Sequence, residues 1–196
     1  EQMARYGLVE CVSCGLEYVN PRPTQSALDI FYDAPGYAPH VSSNVGCVTD
    51  ARLLMRLGFL GHAHNAGRLL DVGSGSGDLA YQARLAGWSV TCVEPSAIGR
   101  QSAEKQGLET FEDIGKVAAQ GRMFDVVTMF HSLEHCSDLN GTLAAIRAVL
   151  VVGGILIVEV PNLHSLRAKC IRFMSRQKKV DERYRAFPVH LYGFTH

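Results

Sequence analysis

The sequence has no long apolar run and no excess of either charge. Its longest uncharged stretch in the most apolar region covers 11 residues, 148–158, and contains Gly153 and Gly154. A membrane-spanning helix needs about 20 apolar residues, so we expect no membrane span and a soluble protein. Nineteen basic side chains balance 19 acidic ones, so no overall field draws the chain to nucleic acid or anionic lipid.

A secretory pattern and a disulfide framework are also missing. No basic, apolar and small-residue series follows Glu1, so we expect a cytoplasmic protein, although a removed leader would leave no trace. Of the six cysteines only Cys11 and Cys14 are close in sequence, and the others are expected to be free thiols packed as small apolar side chains. The 196 residues, 47% of them hydrophobic, suit one compact domain with a small appendage.

Short β-rich apolar runs alternate with helical patterns. Strands are predicted at residues 68–72, 88–94, 108–111, 124–130 and 155–160. Helices are predicted at residues 78–86, 96–106 and 138–150, ending at Gly87, at Gly107 and near the Gly153-Gly154 pair, because a left-handed helix cap favours glycine. This alternation is typical of a parallel sheet with helices on both faces, and we predict an α/β, doubly wound, mainly parallel, Rossmann-like sheet.

Two more helices are predicted before the first strand. Thr24 can cap one that runs to about Tyr32, and Thr49 or Asp50 can cap the other. Three leucines are expected on one face of the second helix: Leu53, Leu54 and Leu57. The fifth strand would leave an apolar sheet edge uncovered, so we expect residues to be missing at the C-terminus, and the lack of an initiating Met indicates the same for the N-terminus. Such an edge would favour pairing with a strand of another chain, but the sequence does not predict an oligomeric state.

A glycine-rich turn follows the first predicted strand, in the run LLDVGSGSGD at residues 69–78. Such a turn brings bare backbone to the ligand at the carboxyl end of a parallel strand. Gly75, Gly77 and Ala80 fit the dinucleotide pattern, with Glu94 as the ribose acid. Asp71 argues against a pyrophosphate, because like charges about 4 Å apart repel by about 4 kcal/mol at an effective dielectric of 20. The cationic and phosphate-free S-adenosylmethionine (SAM) suits this turn better than NAD.

With these residues the chain resembles class I SAM-dependent methyltransferases, in the small-molecule group with a Leu-Glu-His motif after the fourth strand. The resemblance covers residues 11–196 and rests on LLDVGSGSG (69–77), VEPS (93–96), FDVVTMFHSLEH (124–135), LVVGGILIVEVPN (150–162) and HLYGFTH (190–196). It implies methyl transfer from SAM to a small-molecule acceptor, with S-adenosylhomocysteine as product. Residues 49–196 would form the SAM-binding methyltransferase domain, and residues 1–48 a zinc-knuckle remnant and cap. The alternatives are an NAD-type Rossmann oxidoreductase and a non-catalytic SAM-fold binding module.

The resemblance also implies which residues hold the methionine and ribose parts of SAM. Asp71 would bind the methionine end together with the loop backbone. Glu94 would accept hydrogen bonds from both ribose hydroxyls, which the two oxygens of a carboxylate can do. The loop residues whose backbone would hold the methionine end with Asp71 are Gly73, Ser74, Gly75, Ser76 and Gly77.

The adenine and the methyl group are assigned in the same way. Pro95 and Ser96 would line the adenine, although Ser96 is equally a helix cap. Asp113 would accept a hydrogen bond from the adenine amino group, with Glu112 as the neighbouring alternative. Three residues after the fourth strand would lie beside the methyl donor: Phe130, His131 and Ser132.

Residues 131–135 read H-x-x-E-H, which is also a zinc-peptidase signature. That interpretation needs both histidines on one helical face, but His131 directly follows a strand, and no third ligand is obvious downstream. His131 or His135 is instead a candidate general base on an acceptor hydroxyl, because an imidazole pKa near 6.5 makes it available at neutral pH. The competing interpretation is that Glu134 and His135 only fix the shape of the loop.

Cys11 and Cys14 form a C-x-x-C pair, which is half of a tetrahedral zinc site. The resemblance implies a second pair upstream, which this chain lacks. Zinc binding therefore stays open, with Cys47 or His40 as candidates for the missing ligands.

Residues 167–185 carry eight basic side chains against two acidic ones. In this fold an acceptor-binding insertion often follows the fifth strand, so one interpretation is a phosphate-bearing acceptor such as a nucleotide sugar, or an acidic carrier protein. The other interpretation is a solvated helix. A quinone or a secondary metabolite is equally open as acceptor. Nucleic acid is not the expected partner, because the segment has few aromatic side chains for base stacking. His164 and His190 border this segment and are candidates to face the acceptor.

Overall fold

The computed structural model describes residues 6–32, 51–63, 65–162 and 190–194. These residues divide into two compact units. The hairpin unit contains the described residues of Glu1–Leu28, His131–Ser137 and Glu159–His196, and the sheet unit contains those of Asp29–Phe130 and Asp138–Val158. The domain boundary that we predict after residue 48 lies outside the described residues and stays a prediction.

The described residues form eight strands, six α-helices and one turn of 3-10 helix. The strands are β1 (Gly7–Glu10), β2 (Glu17–Asn20), β3 (Arg68–Val72), β4 (Ser89–Val93), β5 (Glu109–Phe111), β6 (Phe124–Phe130), β7 (Leu150–Glu159) and β8 (Tyr192–Gly193). The α-helices are α1 (Gln25–Tyr32), α2 (Ala51–Ala63), α3 (Asp78–Leu85), α4 (Ala97–Lys105), α5 (Ile114–Ala118) and α6 (Leu139–Val149). The 3-10 turn covers Leu133–His135.

The sheet unit is built on a five-stranded sheet in the order β5-β4-β3-β6-β7. The pairs β3–β4, β3–β6 and β4–β5 are parallel. The chain first adds strands on one side of β3 and then on the other, so the order reverses between β3 and β6. This confirms the doubly wound fold, and ligands of such sheets bind in the crevice at the carboxyl ends of the strands beside that reversal.

Most element boundaries follow the local signals in the sequence. The strands β3 and β6 have the predicted bounds, and α3 and α4 end one residue before theirs. Gly87 and Gly107 have φ values of 97° and 73°, as a left-handed helix cap requires. The prediction of a glycine cap after the last helix is wrong, because α6 passes directly into β7 and Gly153 and Gly154 lie within that strand.

Helix α2 packs on the sheet through one apolar side. Leu60 is 1% exposed and shares a buried cluster with Leu69, Leu79, Trp88 and Val126, against which Leu53 and Leu57 also pack. Burying one such side chain contributes about 1.5–3 kcal/mol. The expectation that Leu54 joins this face is wrong, since its side chain is 51% exposed.

The hairpin unit contains a three-stranded sheet in the order β1-β2-β8, in which both pairs are antiparallel. Sequence reasoning did not predict this sheet. Its strands are only two to four residues long and carry a weak alternation signal. Within the parts of the chain that are described, the helices are too short or too polar to cross a membrane.

Candidate active site

The end of β3 carries a buried carboxylate that is bonded to the neighbouring strand. Asp71 is 4% exposed, and its Oδ1 accepts a hydrogen bond from Thr128 Oγ1 on β6 at 2.7 Å. The two residues are register partners across the reversal of strand order. Asp71 therefore lies where the fold places its ligands.

The electrostatic surroundings of Asp71 disfavour its charge in the isolated protein. Burial raises its pKa to about 6, while the Thr128 hydrogen bond and the charge of Arg56 oppose the rise and the charge of Glu94 adds to it. A bound cation near the carboxylate would favour the ionised form.

Glu94 lies next to the end of β4 and supports the glycine loop. Its side chain is 4% exposed, its Oε2 accepts from the amide of Gly75 at 2.8 Å, and its Oε1 accepts from the amide of Ser96 at 2.9 Å. Burial raises the pKa of Glu94, and these two hydrogen bonds and the charge of Arg100 oppose that rise. A carboxylate has about four lone-pair directions, so each oxygen keeps capacity for one further donor.

The loop glycines are required by two different constraints. Gly77 has a φ of 85°, and a Cβ there would lie 2.6 Å from Leu108 Cδ1 and 3.1 Å from Ala103 Cβ. Gly75 has a φ of 56°, and no atom of a described residue would lie within 4 Å of a Cβ at that position. Gly77 thus allows close packing of the loop on α4 and the start of β5, whereas Gly75 presents open backbone.

The other predicted loop residues make backbone contacts. The amides of Gly73 and Ser74 donate to the carbonyl of Val93 at 2.7 and 3.1 Å. The carbonyl of Ser76 accepts from Gln106 Nε2 at 2.6 Å. These bonds hold the loop against the end of β4 and the end of α4.

Ser96 and Asp113, which are predicted to contact the adenine, each cap the start of a helix. Ser96 is 1% exposed and its Oγ accepts from the amide of Gly99 at 3.3 Å, at the start of α4. Asp113 is exposed and its Oδ1 accepts from the amide of Lys116 at 3.0 Å, at the start of α5. Pro95 is exposed, and Glu112 pairs with Lys116. Contacts of these residues with adenine stay predictions.

Phe130, the last residue of β6, makes a cation–π contact with Arg56. The guanidinium carbon of Arg56 lies 4.8 Å from the ring centroid. Because the charge of Arg56 also acts on Asp71, one cation and one anion act in this part of the sheet unit. Sequence reasoning did not single out Arg56, since one arginine on an amphipathic helix is an ordinary feature.

In the hairpin unit, His131 is held between two glutamates. Its Nε2 lies 2.8 Å from Glu159 Oε1, its amide donates to the Glu159 carbonyl at 2.8 Å, and its Nδ1 lies 3.5 Å from Glu134 Oε1. The φ of His131 is 54°, which is uncommon for a residue with a side chain. Ser132 precedes the 3-10 turn, and its carbonyl accepts from the amide of His135 at 3.1 Å. The structure therefore puts His131 outside the helical turn.

Glu134 and His135 meet a residue from far along the chain. Glu134 is 1% exposed, and its backbone carbonyl accepts from the amide of Leu191 at 2.8 Å. The rings of His135 and His190 pack edge to face with centroids 4.7 Å apart. Burial lowers the pKa of His190 to about 4, and the charge of His135 adds to this effect, so His190 is neutral at pH 7.

The carboxylate of Glu134 accepts no hydrogen bond from the residues that the structure describes. A buried polar group without a hydrogen bond costs on the order of 1–3 kcal/mol, and more when it is charged. Glu134 is therefore an exception that needs a physical reason.

The cysteine pair of the hairpin unit lies in the tight turn between β1 and β2. The amide of Gly15 donates to the carbonyl of Cys11 at 2.8 Å, and hydrogen bonds from the backbone of Ser13 and Cys14 lower the pKa of the Cys11 thiol. Cys14 is exposed, and in the described parts of the chain no third metal-ligating side chain completes a site with these two thiols. His40 and Cys47 lie outside those parts, as do residues 167–185 and His164, so the predictions made for them stay predictions.

Two site residues that sequence reasoning missed had a detectable signal. Thr128 is the only polar residue inside the apolar strand FDVVTMF after Asp125, and Glu159 is the acidic residue at the end of the apolar run of β7. Polar residues at the carboxyl ends of buried strands are candidates for ligand or partner contacts.

The strand order and the glycine loop at its reversal define a Rossmann-like α/β fold. A family model described as "Methyltransferase domain" matches residues 49–192. The chain therefore belongs to this methyltransferase-domain family, as the resemblance in the sequence indicates.

Curated relatives match over the central part of the chain. The ubiquinone biosynthesis O-methyltransferase of Actinobacillus pleuropneumoniae serotype 5b (strain L20) is 33% identical over an alignment of 107 residues, and the match covers 48% of this chain and 46% of that protein. The chain thus spans about half the length of the curated relatives it matches.

Solved structures share the fold at lower identity. A SAM-dependent methyltransferase from Thermotoga maritima matches with a TM-score of 0.53 and 20% identity over 73% of this chain and 64% of that one. The plantazolicin methyltransferase BpumL, solved with a substrate analogue and S-adenosylhomocysteine, matches with a TM-score of 0.60 and 16% identity over 84% of this chain and 67% of that one.

Proposed function

We propose that the chain binds SAM in the sheet unit and transfers its methyl group to a small-molecule acceptor. The observation that carries this proposal is the pair of buried carboxylates, Asp71 and Glu94, on both sides of the glycine loop at the carboxyl ends of β3 and β4. Both are held by uncharged donors, namely the Thr128 hydroxyl and two backbone amides. Membership of the methyltransferase-domain family supports the same activity.

The negative charges of Asp71 and Glu94 favour the binding of SAM and disfavour the binding of a dinucleotide. A pyrophosphate beside two carboxylates would add like charges to a buried site whose own charges already repel. When it is bound, SAM supplies a methyl group on a sulfonium that is activated for attack by a nucleophile. The chain therefore needs groups that favour positive charge, and Asp71 is such a group.

Four residues of the sheet unit would contact SAM in this proposal. Asp71 binds the ammonium of the methionine end, and Arg56 binds its carboxylate, because a zwitterion needs both signs of charge. Glu94 accepts from the ribose hydroxyls while it holds the loop through Gly75. The open face of Gly75 lets the ligand lie against backbone.

The proposal extends to the class of acceptor and to the base. Relatives are named O-methyltransferases of ubiquinone biosynthesis, and we propose a small acceptor with a hydroxyl or amino group, including phosphate-bearing ones such as nucleotide sugars. His131 and His135 stay the predicted bases. A His131→Ala variant whose kcat falls while its SAM affinity is unchanged would support the first, and an unchanged kcat would remove it.

Calorimetric titration with SAM, S-adenosylhomocysteine and NAD tests the cofactor. We expect micromolar binding of the first two and no binding of NAD. Arg56→Gln should weaken SAM binding at least tenfold, on the scale of a lost charged hydrogen bond. The matched control is Arg147→Gln, because Arg147 is an exposed arginine on α6. Binding of NAD alone, or equal effects of the two substitutions, would refute the proposed site.

Turnover is tested separately from binding. The purified chain is incubated with SAM and a panel of phenols, catechols, amines and nucleotide sugars, and S-adenosylhomocysteine release is measured. Release that depends on one acceptor class establishes transfer, whereas SAM binding without release on any acceptor favours the non-catalytic binding module.

A further inference from the structure

Three potential metal ligands come together in the hairpin unit. Glu134, His135 and His190 each offer one ligand atom, and these atoms all lie within 4.8 Å of one another. Glu134 and His135 belong to the 3-10 turn, and His190 lies two residues before β8. The hydrogen bond from the Leu191 amide to the Glu134 carbonyl fixes the two segments together.

The carboxylate of Glu134 gives a second, independent observation. Its side chain is 1% exposed, and neither oxygen accepts a hydrogen bond from a described residue. The Nδ1 of His131 lies 3.5 Å from Oε1, which is too long for a good hydrogen bond. Buried carboxylates are normally paired, hydrogen-bonded or bound to a metal, and no described residue donates a hydrogen bond to this one.

The geometry points to a binding site for a divalent first-row transition metal ion with Glu134, His135 and His190 as its ligands. Two imidazoles and one carboxylate suit Zn²⁺, Fe²⁺ or Co²⁺, whereas Mg²⁺ and Ca²⁺ prefer ligand sets made of oxygen alone. Neighbouring ligands around tetrahedral zinc lie about 3.3 Å apart, so binding would draw the three atoms together by up to about 1.5 Å. Three protein ligands leave at least one position for water or an added ligand.

His131 and Glu159 complete the arrangement around the site. A metal-bound carboxylate usually has a partner that orients it, and the loss of such a partner typically weakens metal binding 10–100-fold. His131 lies beside Glu134 Oε1 and is itself held by Glu159 at 2.8 Å. In the peptidase interpretation of H-x-x-E-H the first histidine is a ligand and the glutamate a base, whereas here the glutamate is a ligand and His131 is not.

Cobalt binding to the purified, EDTA-treated chain tests this site without SAM or any acceptor. Co²⁺ reports its ligands by absorption, because thiolate ligands add an intense near-ultraviolet band that imidazole and carboxylate ligands do not. We expect one Co²⁺ per chain with visible bands and no thiolate band. A Cys11→Ser/Cys14→Ser chain should keep this ion, which separates the site from the cysteine pair.

Two substitutions at the site and one matched control complete the test. His190→Gln and Glu134→Gln should each weaken Co²⁺ binding by about 100-fold or more, since a ligand matters at least as much as its orienting partner. His62→Gln should leave binding unchanged, because His62 lies on α2 and its Nδ1 pairs with the Gly58 carbonyl. No binding at millimolar Co²⁺, a site lost only with the cysteines, or equal binding by His190→Gln would overturn the inference.

A measurement on the unsubstituted chain guards against variants that fail to fold. Circular dichroism of each metal-free variant is compared with that of the parent. If both site variants unfold, ring-nitrogen NMR of the parent during Zn²⁺ titration decides the question. Shifts at the His135 and His190 rings with little change at His62 would support the site, and no shift at the two rings would refute it.

Discussion

The replacement Asp71→Asn is expected to stabilise the protein at pH 7 and to weaken SAM binding. The carboxylate is 4% exposed, and its pKa is about 6 against an ordinary value of 3.8. The folded state therefore binds this proton more tightly than the unfolded state, and stability falls as the pH rises from about 4 to about 6. The raised pKa therefore lowers the free energy of unfolding by about 3 kcal/mol at pH 7 and by about half of that at pH 5.

Asparagine removes this penalty at a smaller cost of its own. Its oxygen can still accept from the Thr128 hydroxyl, but the bond is no longer to a charge and a buried NH₂ group is added, for a loss of about 1–2 kcal/mol. The net gain at pH 7 is then about 1–2 kcal/mol, which raises the Tm of a chain of this size by roughly 3–6 °C.

Thermal and urea unfolding of both proteins between pH 5 and pH 8 measures this effect. The stability difference should grow by about 1–2 kcal/mol from pH 5 to pH 7. His190 contributes the opposite trend, because its lowered pKa costs stability as the pH falls from about 6.5 to about 4, but it is common to both proteins and cancels. Asp138→Asn is the matched control, since Asp138 is exposed, caps α6 and can be replaced there by asparagine.

The same titration predicts the pH dependence of SAM binding. Asp71 changes from mostly ionised at pH 7 to mostly protonated at pH 5, so the affinity should fall about tenfold over that range. In Asp71→Asn the affinity should be weaker and nearly independent of pH. A variant less stable than the parent at pH 7, or a stability difference that does not change with pH, would refute the argument.

Three further predictions concern the loop and the core. Gly77→Ala should cost about 2–4 kcal/mol, because its φ is 85° and the new methyl would lie 2.6 Å from a leucine methyl. Gly87→Ala should cost only about 1–2 kcal/mol, because no described residue has an atom within 4 Å of the new methyl, and equal losses in urea unfolding would contradict this. Glu94→Gln should weaken SAM binding, measured by calorimetry, at least tenfold, because one amide oxygen cannot replace both carboxylate oxygens. Full retention of SAM affinity would exclude hydrogen bonding of Glu94 to the ribose. Leu60→Ala should lower the free energy of unfolding by about 2–5 kcal/mol, because Leu60 is buried. Leu54→Ala should lower it by less than about 0.5 kcal/mol, because Leu54 is exposed, and similar values for the two variants would contradict the packing of α2.

The parts of the fold that local sequence decides were predicted well. β3 and β6 are buried apolar segments bounded by turn residues, so their composition and flanks identify them without tertiary information. Gly87 and Gly107 end helices because a left-handed residue is required there. The glycine loop with Asp71 before it likewise predicts that the ligand binds at this end of the sheet and carries positive charge.

The incorrect or missing predictions depend on contacts between distant segments. Gly153 and Gly154 look like a helix cap in sequence, but pairing at the sheet edge continues β7 through them. The two-residue strand β8 exists only because β2 pairs with it. Leu54 has the spacing of a core residue on α2, and only the orientation of that helix leaves it exposed.

The sequence by itself determined the doubly wound sheet, the glycine loop and the two carboxylates beside it, because strand and helix periodicity, glycine backbone freedom and charge are local properties. Only the tertiary structure decided which groups meet. It joined Asp71 to Thr128, His131 to Glu159, and His190 to the Glu134-His135 turn, through strand pairing and folding of distant segments. Burial follows from those contacts. It raises the pKa of Asp71, and it leaves the Glu134 carboxylate without a hydrogen bond from any residue that the structure describes.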